Sequence, residues 1–221
     1  MKSPFIVIEV GNTRAKIALV EGFEIKETSS FTADSFEQCF SFIQQLQLNK
    51  IEREIYLSSV NPDLSRDLKE CLAGERLFEI GSDLPVPVKN LSLKPEQTGV
   101  DRLLNVFAAS KMFPDNWSIV IDAGSAITFD VCTATGEFAG GIIAAGGNCQ
   151  LKALSTYTAS LPALVLDSSR LVSAIGKTTE DSMQASLIYG LPGLVISCVR
   201  AIEKELRKEL HDANLFLRGP A

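Results

Sequence analysis

Short apolar runs rich in β-branched residues alternate along this chain with stretches whose apolar positions recur at helical spacing. Residues 5–10 form one such run, Gly11-Asn12 interrupt it and residues 15–20 resume it, which predicts a β-hairpin. Gly22 marks a second turn into a short run over 23–26. Between 35 and 46, Phe36, Cys39, Phe40, Ile43 and Leu46 define one face of an amphipathic helix, with Asp34 or Ser35 as N-cap. A strand over 54–58 follows, then a helix over 62–73 opened by Asn61 and closed near Gly74, then a strand over 76–80.

Residues 81–99 carry Pro85, Pro87, Pro95 and two glycines, the chemistry of a loop that links two halves or shapes a site. A helix is predicted over 102–111. The opening theme then returns: a strand over 117–121 runs into Asp122, Ala123-Gly124-Ser125 turn the chain, and strands over 126–132 and 138–144 follow, the second after Gly136. Glu9-Val10-Gly11-Asn12 and Asp122-Ala123-Gly124-Ser125 each place a carboxylate at a strand end, a glycine two residues later and a short hydrogen-bonding side chain next. The two halves therefore read as duplicates. The longest helical pattern, 178–210, puts Met183, Leu187, Leu191, Leu194, Ile196, Val199 and Ile202 on one face, and Gly190, Pro192 and Gly193 predict that it kinks or divides. A final apolar run over 215–217 reads as one more strand. The mixture predicts α/β layers in two domains, 1–113 and 114–221.

A chain of 221 residues buries about 70% of its unfolded surface, enough for a substantial core. With 46% hydrophobic and 22% charged residues it has a globular balance, not a disordered one. Its net charge of −6 supplies no broad basic footprint for phosphate backbones, which argues against nucleic acid and for a small-molecule partner. Cys39, Cys71, Cys132, Cys149 and Cys198 are odd in number and lack a C-x-x-C pair, so they read as reduced thiols and not as disulfides or a zinc site. The opening Met1-Lys2-Ser3-Pro4 lacks a leader pattern, and no run is expected to reach the roughly 18 to 20 apolar residues of a membrane span. The expectation is a cytoplasmic protein with no membrane partner.

A glycine just after a strand lets the backbone approach a ligand, and neighbouring amides, Asn and Thr can then cradle phosphate oxygens. Gly11, Asn12 and Thr13 suit that role, with Lys16 as a point charge; alone, the stretch also reads as an ordinary hairpin turn. The second copy, Gly124 and Ser125, lies about 110 residues away, and two such turns can clamp one nucleotide across a cleft. Glu9 and Asp122 then become candidate carboxylates for a magnesium or potassium ion beside the phosphates. Between them, Thr98-Gly99-Val100-Asp101-Arg102 closes the proline loop, and Asp101 reads either as a general base or as a helix N-cap.

Taken together, residues 9–16 (Glu-Val-Gly-Asn-Thr-Arg-Ala-Lys), 94–102 (Lys-Pro-Glu-Gln-Thr-Gly-Val-Asp-Arg), 122–130 (Asp-Ala-Gly-Ser-Ala-Ile-Thr-Phe-Asp) and 175–184 (Ile-Gly-Lys-Thr-Thr-Glu-Asp-Ser-Met-Gln) resemble the motifs of type III pantothenate kinases, in family order. Residues 140–146 resemble the family's G-G-x-I-x-P-G turn, with Ala145 in the proline's place. The resemblance implies an α/β fold of two duplicated actin-like (ribonuclease H-like) lobes, their mixed sheets flanked by helices with a cleft between. It implies that Glu9, Gly11, Asn12, Thr13, Lys16, Gly124 and Ser125 bind ATP. Gly99, Val100, Asp101, Arg102 and Thr179 would bind pantothenate, with Asp101 as catalytic base. Asp122 would hold a monovalent cation, K+ or NH4+, and Glu9 would serve Mg2+. The implied reaction phosphorylates pantothenate to 4′-phosphopantothenate, the first step towards coenzyme A, in a homodimer for which the long helix with Met183 and Leu187 offers an apolar face.

This chain departs from the family at Glu9, where relatives carry aspartate, at Ser125 for threonine, at Ser92 for a frequent tyrosine, and at Leu217-Arg218-Gly219-Pro220 for a double-glycine turn near the adenosine. Two alternatives stay open at this point: a weak or inactive relative that acts as a binding or regulatory protein, and a kinase for another small hydroxy acid. Trp117 reads as core, His211 as a helix-end residue, and residues 203–209 as a solvated helix face.

Overall fold

The computed structural model describes residues 3–32, 35–47, 53–167 and 169–209. Its chain divides into two compact units, Met1–Pro87 with Glu96–Leu104, and Val88–Pro95 with Asn105–Ala221.

The first unit is built on a five-stranded sheet. Strands β1 (Phe5–Val10), β2 (Arg14–Glu21) and β3 (Glu24–Thr32) form an antiparallel meander, and β4 (Ile55–Ser59) and β5 (Leu77–Glu79) extend it in parallel, in the order β3-β2-β1-β4-β5. That order is the ribonuclease H-like one the family resemblance implied. Alternation drives it: Ile6, Ile8 and Val10 of β1 and Ala15 and Ile17 of β2 point into one core with Ile55 and Leu57 of β4. Helices α1 (Phe36–Gln47) and α2 (Pro62–Cys71) close that core with Cys39, Ile43 and Leu46 and with Leu64 and Leu68. Each Val, Leu or Ile side chain among them, fully buried, stabilises by about 1.5–3 kcal/mol. Asn61 caps α2 as the sequence predicted, its Oδ1 accepting from the Leu64 amide at 3.2 Å, with Pro62 in the first turn.

Strand β3 runs far beyond the predicted 23–26, because Arg14↔Thr32 to Glu21↔Glu24 pair along the whole of β2. Its polar residues Glu27 to Ser30 suit a sheet edge, where one face stays in water. Of the two N-cap candidates for α1, Asp34 lies outside the described residues, whereas the Ser35 carbonyl accepts the Cys39 amide at 3.1 Å.

In the second unit, β6 (Ser118–Ala123), β7 (Ala126–Cys132) and β8 (Phe138–Ala145) repeat the meander as an antiparallel sheet with β7 central. Among the described residues this sheet has no parallel strands like β4 and β5; the run over 215–217 and His211 lie outside them. Helix α3 (Val100–Met112) begins in the first unit and continues into the second, where Val106 and Ala109 are buried. Helix α4 (Gly147–Tyr157) follows β8 directly, and α5 (Thr179–Glu209) ends the described chain.

Helix α5 is unbroken through Pro192, so the predicted division does not occur. Packing overrides the proline: Met183, Leu187 and Leu191 meet Leu151 of α4, and Leu191, Leu194, Val195, Cys198, Val199, Ile202 and Leu206 cover Ile127, Phe129 and Val131 of β7, with Trp117 at the margin. The predicted apolar face holds except at Ile196, which is exposed. Met183 and Leu187 are buried in the unit's own core, so they are not the face a partner subunit would meet. Over 179–207 the helix is also long and apolar enough to cross a membrane by length and composition, contrary to expectation, although its inward stripe is the one that packs on β7.

Candidate active site

Antiparallel pairing sets the first turn. Val10 faces Ala15 and Glu9 faces Lys16 across β1 and β2, and the Gly11 amide donates to the Arg14 carbonyl at 2.9 Å to close the loop. A Cβ at Gly11 would stand 3.3 Å from that carbonyl, which is why the position suits glycine. Asn12 and Thr13 are exposed at the tip. Lys16 Nζ lies 3.1 Å from Glu9 Oε2, both side chains about half exposed, so the longer carboxylate of this chain reaches the cation directly.

The proline loop returns to the first unit through a 3-10 turn, Pro95–Gln97, and α3 starts at Val100. Asp101 occupies the first helical turn without being its N-cap; its Oδ1 accepts the Arg102 amide at 2.8 Å. Gly99 makes room for that carboxylate, since a Cβ there would be 2.4 Å from Asp101 Oδ1. The same Cβ would be 3.7 Å from Val60 Cγ1, and the Val60 amide donates to the Val10 carbonyl at 2.9 Å. Gly81, beyond β5, lies against Val100. The start of α3 thus sits at the carboxyl ends of β1, β4 and β5, the edge where open α/β sheets bind ligands. Glu9, Gly11, Asn12, Thr13 and Lys16 share that end of the unit with Gly99, Val100, Asp101 and Arg102.

The second turn repeats the first. The Gly124 amide donates to the Ala126 carbonyl at 2.8 Å, and Asp122, Gly124 and Ser125 are exposed. Asp122 faces Thr128 where Glu9 faces Lys16. Gly146, which sequence reasoning named only as part of a glycine-rich turn, packs on this loop: its amide donates to the Ser125 carbonyl at 3.0 Å, and a Cβ would be 2.0 Å from the Gly124 carbonyl oxygen. Gly146 also caps α4, so the loop abuts a helix N-terminus.

Thr179 opens α5 and is exposed; its neighbour Thr178 takes the capping role, with Oγ1 accepting the Asp181 amide at 3.0 Å. In the second unit the loop segment Val88–Pro95 is hooked to the start of β8. The Leu91 amide donates to the Phe138 carbonyl at 2.9 Å, the Phe138 amide to the Lys89 carbonyl at 2.9 Å, and Lys89 Nζ lies 2.8 Å from Glu137 Oε1. Ser92 is held in this segment by its amide, which donates to Asn90 Oδ1 at 3.0 Å.

A five-stranded ribonuclease H-like sheet in one unit and a repeat of its glycine-turn meander in the other define the class: an actin-like α/β protein of the acetate and sugar kinase superfamily. The chain belongs to the type III pantothenate kinase family, whose profile matches residues 5–201. It is 31% identical to the type III pantothenate kinase of Persephonella marina over 90% of this chain and 81% of that one. Identity is again 31% to that of Streptomyces avermitilis, over 97% of this chain and 86% of that one, and 31% to that of Porphyromonas gingivalis, over 98% and 86%. Among solved structures, a Baf family protein from Campylobacter jejuni superimposes with a TM-score of 0.54 at 21% identity, covering 88% of this chain and 79% of that one, a likeness of fold alone.

Proposed function

We propose that the protein transfers the γ-phosphoryl group of ATP to the primary hydroxyl of pantothenate, giving ADP and 4′-phosphopantothenate in the cytoplasm. What carries this reading is the family match across residues 5–201, which takes in every candidate residue from Glu9 to Thr179. Phosphoryl transfer needs little covalent help, so positioning and charge neutralisation supply most of the barrier reduction. Asp101 accepts the proton of the attacking hydroxyl, while Gly99, Val100, Arg102 and Thr179 bind the substrate. The amides and side chains of Gly11, Asn12, Thr13, Gly124 and Ser125 hold phosphate oxygens, and Lys16 adds a point charge to them.

The donors fit the expected cations. Glu9 and Asp122 offer oxygen only, and among the described residues no group of three His, Cys, Asp or Glu forms a metal cage. Mg2+ is ordinarily held by one or two carboxylates plus substrate phosphates and water, so Glu9 would serve it through the oxygen not bonded to Lys16, and Asp122 would serve K+ or NH4+. Bound there, the cations neutralise charge on the phosphates. We also assign a homodimer, because the family completes its pantothenate site near a subunit interface; a dimeric mass in sedimentation at micromolar concentration checks it.

Coupled ADP release with pantothenate, ATP, Mg2+ and K+ tests the function. Pantothenate-dependent turnover that falls about a hundredfold or more in Asp101→Asn is the expected result. Turnover no higher than that of Asp101→Asn rejects it.

A further inference from the structure

Asp130 is completely buried on β7, a setting that an acidic side chain adopts only when its oxygens are well partnered. Its Oδ2 accepts from Thr128 Oγ1 at 3.1 Å and from Asn105 Nδ2 at 3.2 Å. Thr128 lies on the same face of β7 two residues earlier, so one contact orients the carboxylate and the other reaches α3. Helix α3 lies against this strand, with Cys132 Sγ 3.7 Å from the Val106 carbonyl oxygen and Val106 and Ala109 buried, and such contact leaves rotational tolerance. A directional bond at Asn105 removes that tolerance.

Asn105 stands four residues after Asp101 on one continuous helix, so both side chains leave the same face one turn apart. We propose that Asp130 is a positioning residue for the phosphoryl transfer: through Asn105 it fixes the rotational setting of α3, and hence the direction in which Asp101 presents its carboxylate. Asp130 touches no substrate in this role. The inference rests on Asp101 being the base, as proposed above. A misplacement of about 1 Å at a reacting group costs on the order of a hundredfold in rate, which sets the scale.

The test is a double-mutant cycle in the full-length protein, with Asn105→Ala, Asp101→Asn and their combination, plus Asp130→Asn and Asp130→Ala. Asn105→Ala removes the donor and leaves the buried carboxylate its Thr128 bond. Its kcat is expected to fall about ten- to a hundredfold, with KM for pantothenate and ATP within about twofold and the unfolding midpoint little changed. In the Asp101→Asn background the same change is expected to have no further effect on the residual rate, because it acts through the missing base. Asp130→Asn, which keeps an oxygen for Asn105, is expected to retain more kcat than Asp130→Ala. Wild-type kcat in Asn105→Ala, or an equal loss in both backgrounds, overturns the proposal. Wild-type kcat in Asp101→Asn overturns instead the assignment of the base. Should the Asp130 variants fail to fold, the Asn105 cycle decides alone.

Discussion

Two glycines show how tightly single positions are constrained. At Gly99 a methyl group would be 2.4 Å from Asp101 Oδ1, the end of a side chain that can swing, so Gly99→Ala is expected to leave the fold intact and redirect the carboxylate. We expect kcat to fall about tenfold or more with the unfolding midpoint almost unchanged; an unchanged kcat would separate Asp101 from the chemistry. At Gly146 the obstacles are backbone, with the Gly124 carbonyl oxygen at 2.0 Å and the Ser125 oxygen at 2.8 Å. Gly146→Ala has no side chain to displace and must move the loop itself, at a cost of about 1–3 kcal/mol. Denaturant unfolding checks the stability, and a weakened ATP affinity is expected with it. Glu9 behaves differently. Its bond to Lys16 lies between half-exposed groups, so the pair contributes little to stability.

Among the elements, those whose residues carry their own punctuation were legible in the sequence. The first hairpin, the Asn61-Pro62 helix start and the Asp122 turn all follow from strand periodicity, glycine and capping chemistry. Strand β3 was read short because Glu27 to Ser30 look like loop; only the β2 partner makes them strand. Helix α4 was not read at all: a glycine cap and polar GNCQ precede Leu151, the one apolar side chain in the helix that is fully buried. Pro192 does not divide α5, because contacts on both sides of it hold the helix together. In the candidate site, Asp101 was visible as a helix-start acid, but its pairing with Gly99 and the burial of Asp130 depend on tertiary packing.

The hook between loop and β8 carries a pH dependence at the same scale. The Lys89 ammonium, then the Thr135 hydroxyl, hold the Glu137 carboxyl below its ordinary value of 4.5. A lowered folded pKa contributes stability that is fully present above the ordinary value and lost as pH falls through the folded one. Hydrogen exchange at the Leu91 amide, which crosses to Phe138, is therefore expected to be faster in Lys89→Ala than in the wild type at neutral pH. The two rates should converge only as pH falls through the lowered folded value, below 4.5, and a difference that persists once Glu137 is fully protonated would mean that Lys89 acts by packing and not by charge.

At the scale of the whole molecule, the five free thiols act as reporters distributed over both units. Cys71 and Cys149 are exposed, whereas Cys39 sits in the first unit's core and Cys132 is buried in the second, its Sγ 3.7 Å from the Val106 carbonyl oxygen. Burial pushes both interior thiols above their ordinary value, which lowers the thiolate fraction that reacts with alkylating agents. Two effects, access and ionisation, thus act in the same direction. With iodoacetamide at pH 8 we expect Cys71 and Cys149 to be modified first, and Cys39 and Cys132 only as denaturant opens the core around each. Peptide mass spectrometry along a urea series gives one opening curve per unit. Prompt labelling of Cys39 in native protein would contradict the packing of α1 on the five-stranded sheet, and with it the placement of the Glu9 to Lys16 turn, since that turn is held by the same two strands whose inward residues surround Cys39.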